Sequence, residues 1–159
     1  EQYCVVENID FLVGTFGKAM ASIGGYLICH LIIRDYLINS MRPLIFSTAQ
    51  PPICMAWTDF IFKKVLNLNA QRQHLQQISQ TLQQAVISKG FDCPSTSHIV
   101  PVIIGESTKT VEKAKALQDA GFYIMPVRPP TVPQHSSRLR ISLTAQISDV
   151  EIAQLAQLL

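Results

Sequence analysis

The sequence predicts an α/β chain in which short apolar strands alternate with helices, and three observations lead there. The run "IDFLV" is short, apolar and closed by Gly14, as a buried strand ending in a turn is expected to be. The stretch "AQRQHLQQISQTLQQAVISKG" places Leu75, Ile78, Leu82, Ala85 and Val86 on one helical face and glutamines on the other. From His98 to Leu159 the patterns run strand, helix, strand, loop, strand, helix, which is the order of a compact α+β unit.

The elements follow in order. After "IDFLVG", a glycine-flanked loop leads to a second strand, "GGYLI". From about His30 to Ser40, Leu31, Ile32, Tyr36 and Leu37 recur at helical spacing. "RPLIFSTAQPP" reads as extended, and Pro51 and Pro52 suit the first turn of a new helix that carries "CMAWTDFIFKKVL". The glutamine-rich helix comes next, with Gly90 as its C-terminal cap. Beyond "FDCPSTS", "HIVPVIIG" is a strand and "TKTVEKAKALQDAG" a helix closed by Gly121. "FYIMPV" is a strand, "RPPTVPQHSS" a stiff loop and "RLRISLTA" an alternating strand. "SDVEIAQLAQLL" is a helix opened by Ser148. A domain boundary is expected near residue 65, within the helical connector.

Composition narrows the function classes. With 48 % hydrophobic residues in 159, a core is within reach and disorder is not expected. A net charge of +2 is too small and too scattered for a nucleic-acid or anionic-membrane surface. "IGGYLICHLII" is too short to span a bilayer, and His30 interrupts it. No secretory leader pattern precedes it, although the chain opens on Glu1 rather than methionine, as a processed chain or a piece of a longer one does. Cys4, Cys29, Cys54 and Cys93 lack metal-ligand spacing, which points to buried, reduced thiols in a cytoplasmic protein. No metal site is expected, and His30, His74, His98 and His135 form no catalytic or metal spacing.

Lys18, in "GTFGKAM", is the residue that invites a chemical reading. A phosphate-binding P-loop needs a glycine where Leu12 stands and a serine or threonine where Ala19 stands, so that motif is absent. A loop lysine is ordinarily solvated surface charge. Here it follows a strand directly, with Gly14 and Gly17 leaving room for a bulky ligand, and strand ends are where α/β proteins bind ligands. The remaining reading is a lysine that condenses with pyridoxal phosphate, with the Thr15 hydroxyl offered to the phosphate.

Three segments occur in order: "GTFGKAMASIGGY", "NSMRPLIFSTAQPP" and "VRPPTVPQHSSRLRISLTA". Together they closely resemble the α-oxoamine synthases, a branch of the fold-type-I pyridoxal-phosphate enzymes, over essentially the whole chain. The resemblance implies the C-terminal part of that fold: residues 1–65 as the end of the large cofactor-binding domain and residues 66–159 as the small α+β domain. It implies that Lys18 is the catalytic, cofactor-bearing lysine and that Thr15 binds the phosphate. Ser47 and Thr48 would reach the cofactor phosphate of the other subunit in a homodimer. Arg140 would hold the amino-acid carboxylate, and Thr131 would contact substrate. Period two puts Arg138 and Arg140 on one strand face, so the pattern alone leaves both open as the carboxylate fork; the family match favours Arg140.

The "RPPTVP…RLRISLTA" segment is most similar to members that condense L-alanine with a pimeloyl thioester, carried on CoA or a carrier protein, with loss of carbon dioxide. The alternatives are an inactive fragment of such an enzyme, or a related acyltransferase such as glycine C-acetyltransferase. Three positions depart from the pattern. Ala21 and His135 stand where glycine is usual, and Ile147 where histidine is common. The family's N-terminal half, with the aspartate that meets the pyridine nitrogen and the histidine that stacks on the ring, has no counterpart within these residues.

Overall fold

The computed structural model describes residues 5–159. The chain divides into two compact units, Glu1–Asn67 and Leu68–Leu159. Cys4 lies outside the described residues.

The first unit is built on a hairpin. After a single 3-10 turn, Val6–Asn8, β1 (Phe11–Thr15) pairs antiparallel with β2 (Gly25–Cys29), with Phe11 opposite Cys29 and Thr15 opposite Gly25. Helix α1 (Leu31–Ser40) starts at His30, whose Nδ1 accepts the Ile32 N–H at 3.3 Å. His30 thus works as a helix cap. Arg42–Ile45 form a short helix, α2, where the sequence reads as extended. The prolines explain the difference: Pro43 sits in the first turn, where a missing N–H costs no hydrogen bond. Residues 48–50, after Ser47, belong to no helix or strand. Helix α3 (Pro52–Leu66) then opens on Pro52, in the first turn as its sequence suggests.

No described residue of this unit is fully buried. That corrects the reading of "IDFLV" as a buried strand: Phe11 and Val13 are exposed and Leu12 half-buried. An apolar run records what a strand needs to bury, not that a partner is present to bury it. The thiols are corrected likewise, since Cys29, Cys54 and Cys93 are free but only half-buried.

The second unit has a core. Its sheet has the order β3-β5-β4, from β3 (Ile99–Gly105), β4 (Met125–Val127) and β5 (Ser137–Ser142), all antiparallel. Three helices cover one face: α4 (Asn69–Ser88), α5 (Ser107–Asp119) and α6 (Asp149–Leu158). Ile78, Leu82 and Val86 of α4 meet Val100 and Val102 of β3 and Leu139 and Ile141 of β5, all at most 5 % exposed. Ile152 and Leu155 of α6 complete the layer. Each such side chain contributes roughly 1.5–3 kcal/mol by leaving water. β4 is shorter than its apolar run. Phe122 donates back to the Leu117 carbonyl, and the Ile124 carbonyl accepts from Gln118 Nε2, so the end of α5 uses these groups before the strand begins.

Candidate functional site

The Lys18 loop joins β1 to β2 and is tied at three levels. Phe16 N–H donates to the Gly24 carbonyl, Ser22 N–H to the Phe16 carbonyl and Ala21 N–H to the Lys18 carbonyl, each at 2.9 Å. Helix α3 grips its far side, where Trp57 Nε1 donates to the Ala21 carbonyl at 3.0 Å. The Ser22 and Thr58 hydroxyls lie 2.7 Å apart. Gly24 is required: its φ is +90°, and a Cβ there would fall 1.7 Å from Gln50 Nε2. Ala21 holds a φ of 46°, so the turn persists with alanine in the left-handed region.

Lys18 sits on this fixed loop with an exposed side chain. Gly14 does not leave room for a ligand, as its sequence suggested. The Tyr26 ring occupies that space, 2.4 Å from where a Cβ would stand. Gly17 is less hemmed in: a Cβ there would meet only the Ser22 carbonyl oxygen, in ordinary contact at 3.8 Å. Thr15 ends β1 and lines an apolar cleft of about 710 Å³ whose walls include Phe16, Met20, Met55 and Phe62. Lys18 is not among those walls. Ser47 and Thr48 are exposed between α2 and α3, and the Ser47 hydroxyl donates to the Leu44 carbonyl at 3.0 Å.

In the second unit, Arg138 and Arg140 line an open groove of about 420 Å³. Arg138 is half-buried, with Nε donating to the Ser136 carbonyl at 3.0 Å. Arg140 is exposed, and its side chain meets no partner among the described residues. Thr131 is exposed in the proline loop, its N–H held by the Arg128 carbonyl at 3.0 Å; Val132, not Thr131, reaches the groove wall. His135 keeps the loop's turn with a φ of 60°.

Two roles escaped the sequence. His74 Nε2 lies 2.8 Å from the Ile147 carbonyl oxygen, so this histidine ties α4 to the segment before α6. The Ser95 and Ser97 hydroxyls, 3.1 Å apart, pin the turn at one side of the groove, and Ser97 Oγ accepts the Ile99 N–H at 3.2 Å. No spacing marks His74 and Ile147, 73 residues apart, whereas Ser95 and Ser97 each accept an N–H two residues on, the local turn pattern a serine-rich loop offers. Among the described residues no three His, Cys, Asp or Glu side chains gather as a metal site, and no helix is long and apolar enough to cross a membrane.

The family described as aminotransferase class I and II matches residues 4–159. The chain belongs to that family. An 8-amino-7-oxononanoate synthase of Haemophilus ducreyi (strain 35000HP / ATCC 700724) is 50 % identical over 153 residues, which are 96 % of this chain and 40 % of that protein. A provisionally named 8-amino-7-oxononanoate synthase of Pasteurella multocida (strain Pm70) is 52 % identical over 155 residues, again spanning 40 % of the relative. Among solved structures, a Sphingomonas wittichii serine palmitoyltransferase superposes with a TM-score of 0.86 at 29 % identity, covering 97 % of this chain and 39 % of that one. The chain therefore spans about two-fifths of the length of the curated relatives it matches. Its α/β fold is that of a C-terminal portion of the pyridoxal-phosphate-dependent transferases.

The residues present fit part of a pyridoxal-phosphate site. The fixed loop offers an exposed primary amine at Lys18, beside Gly17 where a Cβ would meet only the Ser22 carbonyl oxygen. A hydroxyl stands three residues back at Thr15, and those of Ser47 and Thr48 are exposed.

Proposed function

We propose that this chain is the C-terminal portion of a pyridoxal-phosphate-dependent acyltransferase that condenses L-alanine with a pimeloyl thioester, on CoA or a carrier protein, releasing carbon dioxide and forming 8-amino-7-oxononanoate for biotin synthesis. The observation that carries this reading is Lys18, an exposed amine on a doubly anchored loop, in a chain about half identical to proteins of that name. Residues 1–65 then belong to the large cofactor-binding domain and residues 66–159 to the small domain of a cytoplasmic homodimer.

Bound pyridoxal phosphate supplies an electron sink for charge developing at the amino-acid Cα. Lys18 Nζ would hold the cofactor, and its amine, on the fixed loop, would serve as the base for the Cα proton. Thr15 donates its hydroxyl to the cofactor phosphate, and Ser47 and Thr48 serve the phosphate of the partner subunit. Arg140 offers a planar fork whose two N–H groups match the alanine carboxylate. Thr131, on the proline loop, contacts substrate. Loop anchoring matters because an amine displaced by an ångström loses much of its advantage as a base. Trp57 and Thr58 supply that anchoring.

Borohydride treatment of the cofactor-loaded, full-length protein, followed by peptide mapping, tests the reading. The pyridoxyl group is expected on Lys18. A label on Lys63, Lys64 or any other lysine overturns the assignment.

A further inference from the structure

The sheet face of the second unit that the helices leave open carries two arginines, Arg138 and Arg140, and its groove is otherwise lined by Pro94, Ile99, Pro101, Val127 and Val132 with two serines, Ser95 and Ser97. Arg138 and Arg140 are successive residues on that face of β5, with buried Leu139 between them turned to the core. The strand register sets Pro101 opposite Arg140 and Val127 opposite Arg138, and both join the groove wall. Two residues along a strand separate the side-chain origins by about 7 Å. Among the described residues no aspartate or glutamate lines the groove. Among the described residues neither guanidinium has a carboxylate partner. Arg138 uses only Nε, on the Ser136 carbonyl, which fixes the neck of its side chain and leaves both Nη groups for a ligand. Two like charges side by side on a strand repel one another when no counter-charge stands between them. A ligand with two separated anionic ends and an apolar middle satisfies all of these features, whereas a compact anion such as phosphate engages one fork and leaves the apolar floor unused.

We propose that Arg138 is a specificity-determining residue for the acyl donor: it binds the free carboxylate at the far end of a dicarboxylic acyl chain, while Arg140 takes the amino-acid carboxylate. The methylenes lie over Pro101 and Val127, and the Ser95–Ser97 turn closes one side. This inference rests on the acyltransferase reading for the identity of its ligand but on the groove alone for the two-carboxylate chemistry. It separates donors that end in a carboxylate from those that end in a methyl group, because an unpaired fork in a half-buried position discriminates against the analogue that lacks its partner.

Calorimetric titration of the 159-residue chain with pimelate, heptanoate and inorganic phosphate at low salt tests the groove. Pimelate is expected to bind about tenfold or more tightly than heptanoate, the difference one charge-assisted fork supplies. Arg138→Gln should bring pimelate down to the heptanoate level, and Arg138→Lys should restore only part, since the charge returns without the fork. Equal affinity for pimelate and heptanoate, phosphate binding as tight as pimelate, or an unchanged Arg138→Gln variant overturns the proposal. A second arm uses these residues within a cofactor-loaded, full-length polypeptide, comparing pimeloyl and heptanoyl thioesters. Arg138→Gln should raise KM for the pimeloyl donor and leave the alanine-induced spectral change intact. If neither thioester reacts while pimelate binding still depends on Arg138, the acyltransferase reading fails and the groove stands. If both thioesters react equally well, with or without Arg138, the groove assignment fails and the acyltransferase reading stands.

Discussion

His135 holds a φ of 60°, a conformation that costs an L-residue roughly 1–2 kcal/mol and costs glycine almost nothing. Its side chain is exposed and without a partner among the described residues, so the imidazole returns nothing for that strain. His135→Gly should therefore raise stability by up to about 1 kcal/mol, because the freer unfolded chain takes back about 0.4–1 kcal/mol of the roughly 1–2 kcal/mol of strain. The check is the urea midpoint of the second unit in parent and variant; a lower midpoint in the variant contradicts the strain argument. Ala21 and His135 were both legible as departures from a glycine pattern, and they are the two non-glycine residues of positive φ among those described. Gly14 was not legible. Its missing side chain makes way for the Tyr26 ring across the hairpin, and that contact depends on the pairing of Gly14 with Tyr26, which no local pattern encodes.

Helix α6 is held at its start by a reciprocal cap. Ser148 Oγ accepts the Glu151 N–H at 3.3 Å, and Glu151 Oε2 accepts the Ser148 N–H at 2.8 Å. The backbone N–H of Ser148, and then its hydroxyl, hold the Glu151 carboxyl below the usual carboxylate range. A carboxyl whose folded pKa lies below its unfolded one adds stability above the unfolded value and loses it as pH falls through the folded value. Glu151→Gln should thus differ most from the parent near neutrality, and the two should converge in acid below the carboxylate range. Denaturant midpoints of both proteins across that window provide the test, and a gap independent of pH would show that the carboxylate charge is not what matters. Ser148→Ala should cost about 0.5–2 kcal/mol at neutral pH, the usual worth of such a cap. This element was legible because a cap is local: Ser148 and Glu151 are three residues apart. Helix α2 was misread for the opposite reason, since prolines that exclude a helix interior are welcome in a first turn. The face of β1 could not be read at all, because its apolar residues signal a need for cover that lies outside the described hairpin.

The contrast between the two units decides how the chain behaves as a molecule. Every fully buried residue among those described lies between Ile78 and Leu159, whereas Phe46 is 76 %, Ile53 74 % and Val13 70 % exposed. Fully burying any one of these is worth roughly 1.5–3 kcal/mol, so the first unit leaves a large driving force unspent on its own surface. The β1–β2 hairpin adds unpaired strand edges, which template pairing with other chains. The 159 residues alone should therefore self-associate through the first unit, while the second, with its three helices packed on a three-stranded sheet, should fold independently. In sedimentation velocity at tens of micromolar, the whole chain is expected to run as a mixture heavier than a monomer, and residues 68–159 as a single monomeric species that unfolds cooperatively. Cofactor retention follows the same logic. Lys18, Thr15, Ser47 and Thr48 offer an amine and hydroxyls that all stand exposed to water, so pyridoxal phosphate added to the chain should be lost on dialysis. A monomeric chain that keeps one equivalent of cofactor after dialysis would mean that the exposed faces of the first unit cover one another in solution and that its hairpin, loop and α3 suffice to build the site.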